Sequence, residues 1–141
     1  MRVLLFTFGT LQNGIMYKKK IPLTLRCGIN LFNEVLAGKW KTMIIFYISH
    51  GNERPAELLR LMPDVDRRVL MQQLQEMTLS GLVTKETLTS KPLVVKYRLS
   101  EMGKSLLPVI ATMEEWSEKY RSDIEKYIGI KVELIKPLVS Q

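Results

Sequence analysis

Arg67, Arg68, Gln72 and Gln75 lie within one short stretch of the chain and share long, hydrogen-bonding side chains. Arginine can donate in bidentate fashion to guanine O6 and N7, and glutamine can do the same for adenine N6 and N7. At about 100° per residue, Arg68, Gln72 and Gln75 share one side of a helix, with Arg67 and Met71 on its flanks. Arg68, Gln72 and Gln75 are therefore candidates for reading base edges, and Arg67 for holding a phosphate. An Arg/Gln face is also the ordinary solvated side of an amphipathic helix. The elements around it decide between the two.

Those elements are legible from periodicity. Asp66 can cap the helix, Val65 and Leu70 can staple its start, and Leu70, Leu74 and Met77 recur at i, i+4 and i+7 on the inward side. Upstream, Ile29, Leu31, Phe32, Val35 and Leu36 predict a helix ending near Gly38, and Trp40, Met43, Ile44, Tyr47 and Ile48 predict a second before Gly51. Pro55 opens a third, with Ala56, Leu58, Leu59 and Met62 facing inward before Pro63 stops it. After Gly81 the period changes to two, and Leu82 to Leu88 and Leu93 to Leu99 predict a hairpin around Ser90-Lys91-Pro92. Val95, Tyr97 and Leu99 share one of its faces. Lys96 and Arg98 share the other, with Lys85 and Lys91 nearby, so Lys91, Lys96 and Arg98 are expected to touch DNA backbone beside the reading helix.

Ser100 caps a last helix, predicted as one element, in which Met102, Leu106, Val109, Ile110, Met113, Trp116 and Tyr120 fall on one side. That stripe runs about five turns, roughly 28 Å, more than so small a body can cover. A second copy of the chain is expected to cover it, through Ile29, Phe32, Leu106, Ile110, Met113, Trp116 and Tyr120. Pro108 is expected to bend this helix or delay its regular start. The architecture is mainly α with a small β-hairpin: a winged helix-turn-helix flanked by N- and C-terminal dimerisation helices.

Composition bounds the reading. With 141 residues, 46% hydrophobic and 25% charged, the chain has room for one ordinary domain. Lys and Arg number 21 against 14 Asp and Glu, for a net charge of +7, which favours polyanionic partners. All of the basic excess lies before Ser105. One cysteine excludes an intrachain disulfide and fits a reducing compartment, so the cytoplasm is expected. No apolar run approaches the ~20 residues of a spanning helix, and no membrane role is expected. The apolar start from Val3 to Phe8 is too short for a signal peptide and lacks a cleavage site before Lys18-Lys19-Lys20. Residues 1–23 are expected to form an extension, 24–121 the domain and 122–141 a tail, and residues 1–15 to play no part in the fold. No phosphate loop, metal cluster or nucleophile–base pair is present, so neither enzymatic activity nor a cofactor is expected.

The ordered set Cys27, Gly38-Lys39-Trp40, Arg54 with Glu57-Leu58, Leu70-x3-Leu74, Gly81-Leu82-Val83, Pro92 with Val95-x-Tyr97-x-Leu99, Gly103, Leu106-x-Pro108 and Trp116 resembles the HxlR-type bacterial transcriptional regulators, from about Cys27 to Trp116. The resemblance implies a homodimeric DNA-binding regulator joined through terminal helices, with the wing beside the operator. Pro55 stands where the family usually has an aromatic, Asp66 replaces a serine cap, Thr78 to Ser80 stand in place of an acidic pair, and Lys96-Tyr97 stands for Glu-Tyr. These departures bear on which operator is read.

In some such proteins a cysteine before the first helix senses electrophiles or oxidants. Arg26 beside Cys27 would favour the thiolate, while inert packing is the other reading. His50 is expected to cap a helix end, and Trp40, Trp116, Phe32 and Tyr47 to be core rather than a ligand pocket. Lys18-Lys19-Lys20 is read as a solvated arm. The expected function is a sequence-specific regulator, a repressor before an activator, on half-sites about one helical turn (~34–36 Å) apart. The alternative is a winged-helix module that binds protein and not specific DNA.

Overall fold

The computed structural model describes residues 27–133, so the expected extension over 1–23, with its lysine arm, lies outside the described residues. Helices α1 (Gly28–Leu36), α2 (Lys41–Ser49), α3 (Pro55–Leu61) and α4 (Arg67–Leu79) precede a hairpin of β1 (Val83–Ser90) and β2 (Leu93–Leu99). Helices α5 (Glu101–Lys104), α6 (Leu107–Lys119) and α7 (Arg121–Ile128) follow. This is the expected helix-turn-helix with a β-ribbon wing.

Local chemistry fixes the start and end of α4. Asp66 Oδ1 accepts from the Val69 N–H at 2.9 Å, and Val65 and Leu70 are both buried, completing the cap and staple. At the other end, the N–H groups of Gly81 and Leu82 donate to the carbonyls of Thr78 and Met77 at 3.2 and 2.9 Å. Gly81 supplies the positive φ of 82° that this helix-ending motif requires. In α3, Pro55 occupies the first turn, and Glu57 Oε2 accepts from the Arg54 N–H at 3.0 Å.

Ile44 and Ile45 of α2, Leu58 of α3, Leu70, Leu74 and Met77 of α4, and Leu82 are all 0% exposed and form the core. The antiparallel hairpin pairs Lys85 with Tyr97, Glu86 with Lys96 and Thr84 with Arg98. Its inner residues Val83, Tyr97 and Leu99 close the core. The Tyr97 N–H donates to the Glu53 carbonyl at 2.8 Å, so the loop before α3 lies along the outer edge of β2.

The single helix expected from Ser100 to Tyr120 is two, α5 and α6. Ser100 Oγ accepts from the Gly103 N–H at 3.0 Å and donates to the Gly81 carbonyl, while the Ser100 N–H donates to the Leu82 carbonyl at 3.0 Å, tying α5 to the start of the wing. A Cβ on Gly103 would lie 2.1 Å from that carbonyl oxygen, so the chain passes there only as glycine. The helix restarts at Leu107 with Pro108 in its first turn, where the missing N–H has no partner to lose.

A second break falls at Tyr120, after which Arg121–Ile128 is helical where a tail was expected. Arg121 bonds Glu118, lies 3.6 Å from Glu125, and donates to the Val132 carbonyl at 3.2 Å. Glu125 in turn accepts from the Val132 N–H at 2.9 Å. The hydrogen bond from Arg121 holds the Glu118 carboxyl below its usual range.

Candidate nucleic-acid interface

Arg67, Arg68, Gln72 and Gln75 are all exposed on α4, opposite its buried stripe. A shallow groove of about 500 Å³ runs between α4 and the wing, lined by Arg68, Met71, Gln72, Gln75, Lys85 and Tyr97, with Thr78 and Leu79 at its end. Three of the four residues selected from the sequence therefore share one surface, and Arg67 lies beside it. Two further residues belong there that spacing alone did not single out. Met71, 36% exposed, offers an apolar contact of the kind that suits a thymine methyl. Lys85 points its ammonium stem along the same face as Tyr97 because the register pairs them. Burial pushes the Tyr97 phenol above its ordinary range.

The wing cations divide. Lys85 is on the groove side, whereas Lys96 and Arg98 are on the opposite face with Thr84 and Glu86. Lys96 Nζ lies 3.4 Å from Glu53 Oε2, Arg98 Nε 3.4 Å from Glu53 Oε1, and Arg98 Nη1 3.2 Å from Glu86 Oε2. Both residues are thus engaged by carboxylates, Glu53 being delivered by the backbone bond to Tyr97. Lys91 is exposed at the tip, next to a Leu93 that is 70% exposed.

One acid lies close to the reading face. Glu76 Oε2 is 2.8 Å from Nζ of Lys41, a buried lysine in the first turn of α2. Its other oxygen accepts from Gln72 Nε2 at 3.2 Å. The i, i+4 spacing of Gln72 and Glu76 was visible in the sequence; the lysine from another helix was not.

Ile29, Met113, Trp116 and Tyr120 are exposed, while Phe32, Leu106 and Ile110 are half-buried against the core. Leu31, Val109, Tyr127, Ile128, Ile130 and Val132 are exposed as well. Trp40 packs on the core as expected, but Trp116 is outside it and lies against Tyr120, ring centroids 5.5 Å apart. His50 Nδ1 lies 2.8 Å from the Phe46 carbonyl oxygen at the end of α2. Cys27 is exposed immediately before α1, its Sγ 3.5 Å from Asn30 Oδ1.

An exposed Arg/Gln face on the second helix of a tight helix-turn-helix, open to a β-ribbon, is the arrangement of a DNA reader. The family model described as HxlR-like helix-turn-helix matches residues 35–125. The chain belongs to that family. It is 32% identical over 111 residues to YkvN of Bacillus subtilis (strain 168), an uncharacterized HTH-type transcriptional regulator, covering 79% of this chain and 92% of YkvN. To YtcD of the same organism, another HTH-type transcriptional regulator, it is 34% identical over 105 residues, covering 74% of this chain and 80% of YtcD. The fold is similar to the redox regulator HypR in its reduced form, with a TM-score of 0.66 and 33% identity over 70% of this chain and 98% of HypR. The HxlR-like protein is accordingly a DNA-binding transcription regulator and not an enzyme. No helix among the described residues is long and apolar enough to cross a membrane.

Proposed function

We propose that the protein acts as a homodimeric, sequence-specific repressor. Two α4 helices would enter successive major grooves about one helical turn (~34–36 Å) apart. The observation that carries this reading is the groove itself, in which Arg68, Gln72 and Gln75 stand exposed beside Lys85. Arg68 and the two glutamines read base edges, Arg67 and Lys91 hold phosphates, and Lys85 reaches the strand beside the groove. Lys96 and Arg98 contribute after exchanging Glu53 and Glu86 for phosphate, so their share is smaller. The uncovered apolar side of α1, α6 and α7 supports a second chain as its cover. A dimer spanning two half-sites occupies its operator and excludes other proteins from it, the physical basis of repression.

Selection from a randomised duplex pool tests the reading. The expected product is a two-fold related sequence, bound with an affinity that falls by about 10³–10⁵ between 50 and 200 mM salt if six to ten phosphates are neutralised. A pool that returns no sequence preference and no salt dependence would favour a protein-binding module. A promoter carrying the selected site, transcribed in vitro, gives the sign of regulation.

Redox control is a second reading with its own support: Cys27 is exposed at the start of α1, and HypR is described as a redox regulator. In this reading the Cys27 thiols of two subunits, or one Cys27 and a small thiol, lose two electrons and two protons to an oxidant such as diamide and form a disulfide. Diamide should change operator affinity in the native protein and leave Cys27→Ser unaffected. An equal response in both excludes it.

A further inference from the structure

We propose that Glu76, clamped by the buried Lys41, is a positioning residue that sets which end of the Gln72 amide faces the DNA. The inference rests on the DNA-reading function proposed above and adds a residue pair that determines specificity within it.

A glutamine amide has an acceptor end and a donor end, and a free side chain can present either to the groove. An ionised carboxylate only accepts. Glu76 Oε1 lies 3.2 Å from Gln72 Nε2, so the amide nitrogen must turn toward Glu76 and the carbonyl oxygen away from it. This orientation follows from the chemistry of the pair. The nitrogen keeps a second N–H that the carboxylate does not use.

Gln72 is thereby left with one acceptor and one donor, side by side and in fixed order. That order matches the N6 donor and N7 acceptor on the major-groove edge of adenine. A swinging Glu76 would not enforce it. Lys41 prevents that, because its ammonium, buried at the start of α2, stands 2.8 Å from Glu76 Oε2. One carboxylate thus faces two ways, with its buried side held by a cation from a different helix and its outer side holding a reading residue. Helix α2, which presents nothing to the groove, becomes part of the recognition apparatus.

The test uses the full-length protein and the duplex selected from a randomised pool, with each position of one half-site then varied in turn. Gln72→Ala identifies the position that Gln72 reads, where a preference of about tenfold or more is expected in the native protein. Glu76→Ala should cut the preference at that same position to about two- to threefold, while affinity for an unrelated duplex and its salt dependence stay as in the native protein. Because Glu76→Ala leaves Lys41 buried without an anion, the neutral pair Lys41→Met with Glu76→Gln serves as the variant that keeps the packing. It should give the same loss of preference, since a glutamine at 76 accepts or donates equally well. Lys41→Arg, which keeps the cation, should retain the preference.

A preference unchanged in both Glu76 variants, with Gln72→Ala flattening it, overturns the proposal and leaves DNA reading intact. So does a uniform loss across all duplexes, which marks the pair as support for the fold alone. A native protein with no base preference anywhere refutes the underlying reading instead.

Discussion

Helices α4 and α6 are each 13 residues long, yet they complete themselves differently. In α4, Leu70, Leu74 and Met77 are all 0% exposed, and what remains outside is polar or cationic apart from Met71 and Leu79. In α6 no residue is buried, and Val109, Met113 and Trp116 stand 41%, 46% and 59% exposed. Burial of an apolar side chain is worth about 1.5–3 kcal/mol, so α4 is anchored by a fully buried stripe, whereas α6 is held through half-buried residues such as Leu107 and Ile110 and leaves the rest of its apolar stripe outside. The half of the molecule that carries α4 is a finished surface. The half made of α1, α6 and α7 is an unfinished one, which a second copy of the chain would cover in the reading proposed above.

The largest expected effect follows from the unfinished half. Trp116→Glu should leave a folded chain, as judged by circular dichroism, that sediments as a monomer. Its affinity for a duplex with two half-sites should drop by about 10²–10⁴-fold, the loss of the second site's effective concentration. A dimer that survives this change with native affinity removes the contrast between the helices.

Leu74→Ala acts on the finished half and should lower unfolding stability by about 2–5 kcal/mol, read from the urea midpoint. In the monomeric Trp116→Glu background, Met113→Ala should cost less than about 0.5 kcal/mol. Equal costs would mean that the two helices are packed alike. Arg68→Ala comes next: it should relax preference at one operator position by about 1–3 kcal/mol, with little change in binding to unrelated duplexes. Quantitative titration of base-substituted operators measures it.

Much of α4 could be read in the sequence because each of its determinants is local. Asp66, the Val65–Leu70 staple, the Leu70, Leu74, Met77 spacing and Gly81 all act within a few residues. The wing was legible for the same reason. What escaped depended on residues far apart. Periodicity carries the Met102 to Tyr120 stripe straight through, but Ser100 is tied to Leu82, and Gly103 lies against its carbonyl. These contacts fix α5 before Pro108 can join it, and Pro108 then opens a new helix. The helix over Arg121–Ile128 had local marks, in Glu118, Arg121 and Glu125 at helical spacing and in Gly129 after its end. At the candidate site, the residues proposed to read bases show in their types and spacing. The ion pairs of Lys41 with Glu76 and of Glu53 with Lys96 and Arg98 do not, because each joins elements separated in sequence.

The smallest expected effect sharpens the comparison inside the finished half, between the two faces of the wing. A cation releases counterions from DNA in proportion to the phosphate charge it neutralises, at about 0.9 in the salt slope per contact. Lys85 is exposed on the groove side, and Lys85→Ala should lower that slope by about 1 while weakening all duplexes alike. Lys96 is shared with Glu53 at 3.4 Å, and both side chains are about three-quarters covered, at 27% and 25% exposure. To meet a phosphate it must give up a carboxylate, so much of its charge is already spent inside the protein. Lys96→Ala should therefore change the slope by less than half as much. Glu53→Gln, which frees Lys96 and leaves Arg98 held by Glu86 alone, should raise affinity for every duplex and steepen the slope. If Lys96→Ala matches Lys85→Ala, the outer face of the wing is the one that meets the backbone, and the groove beside α4 has to be redrawn without it.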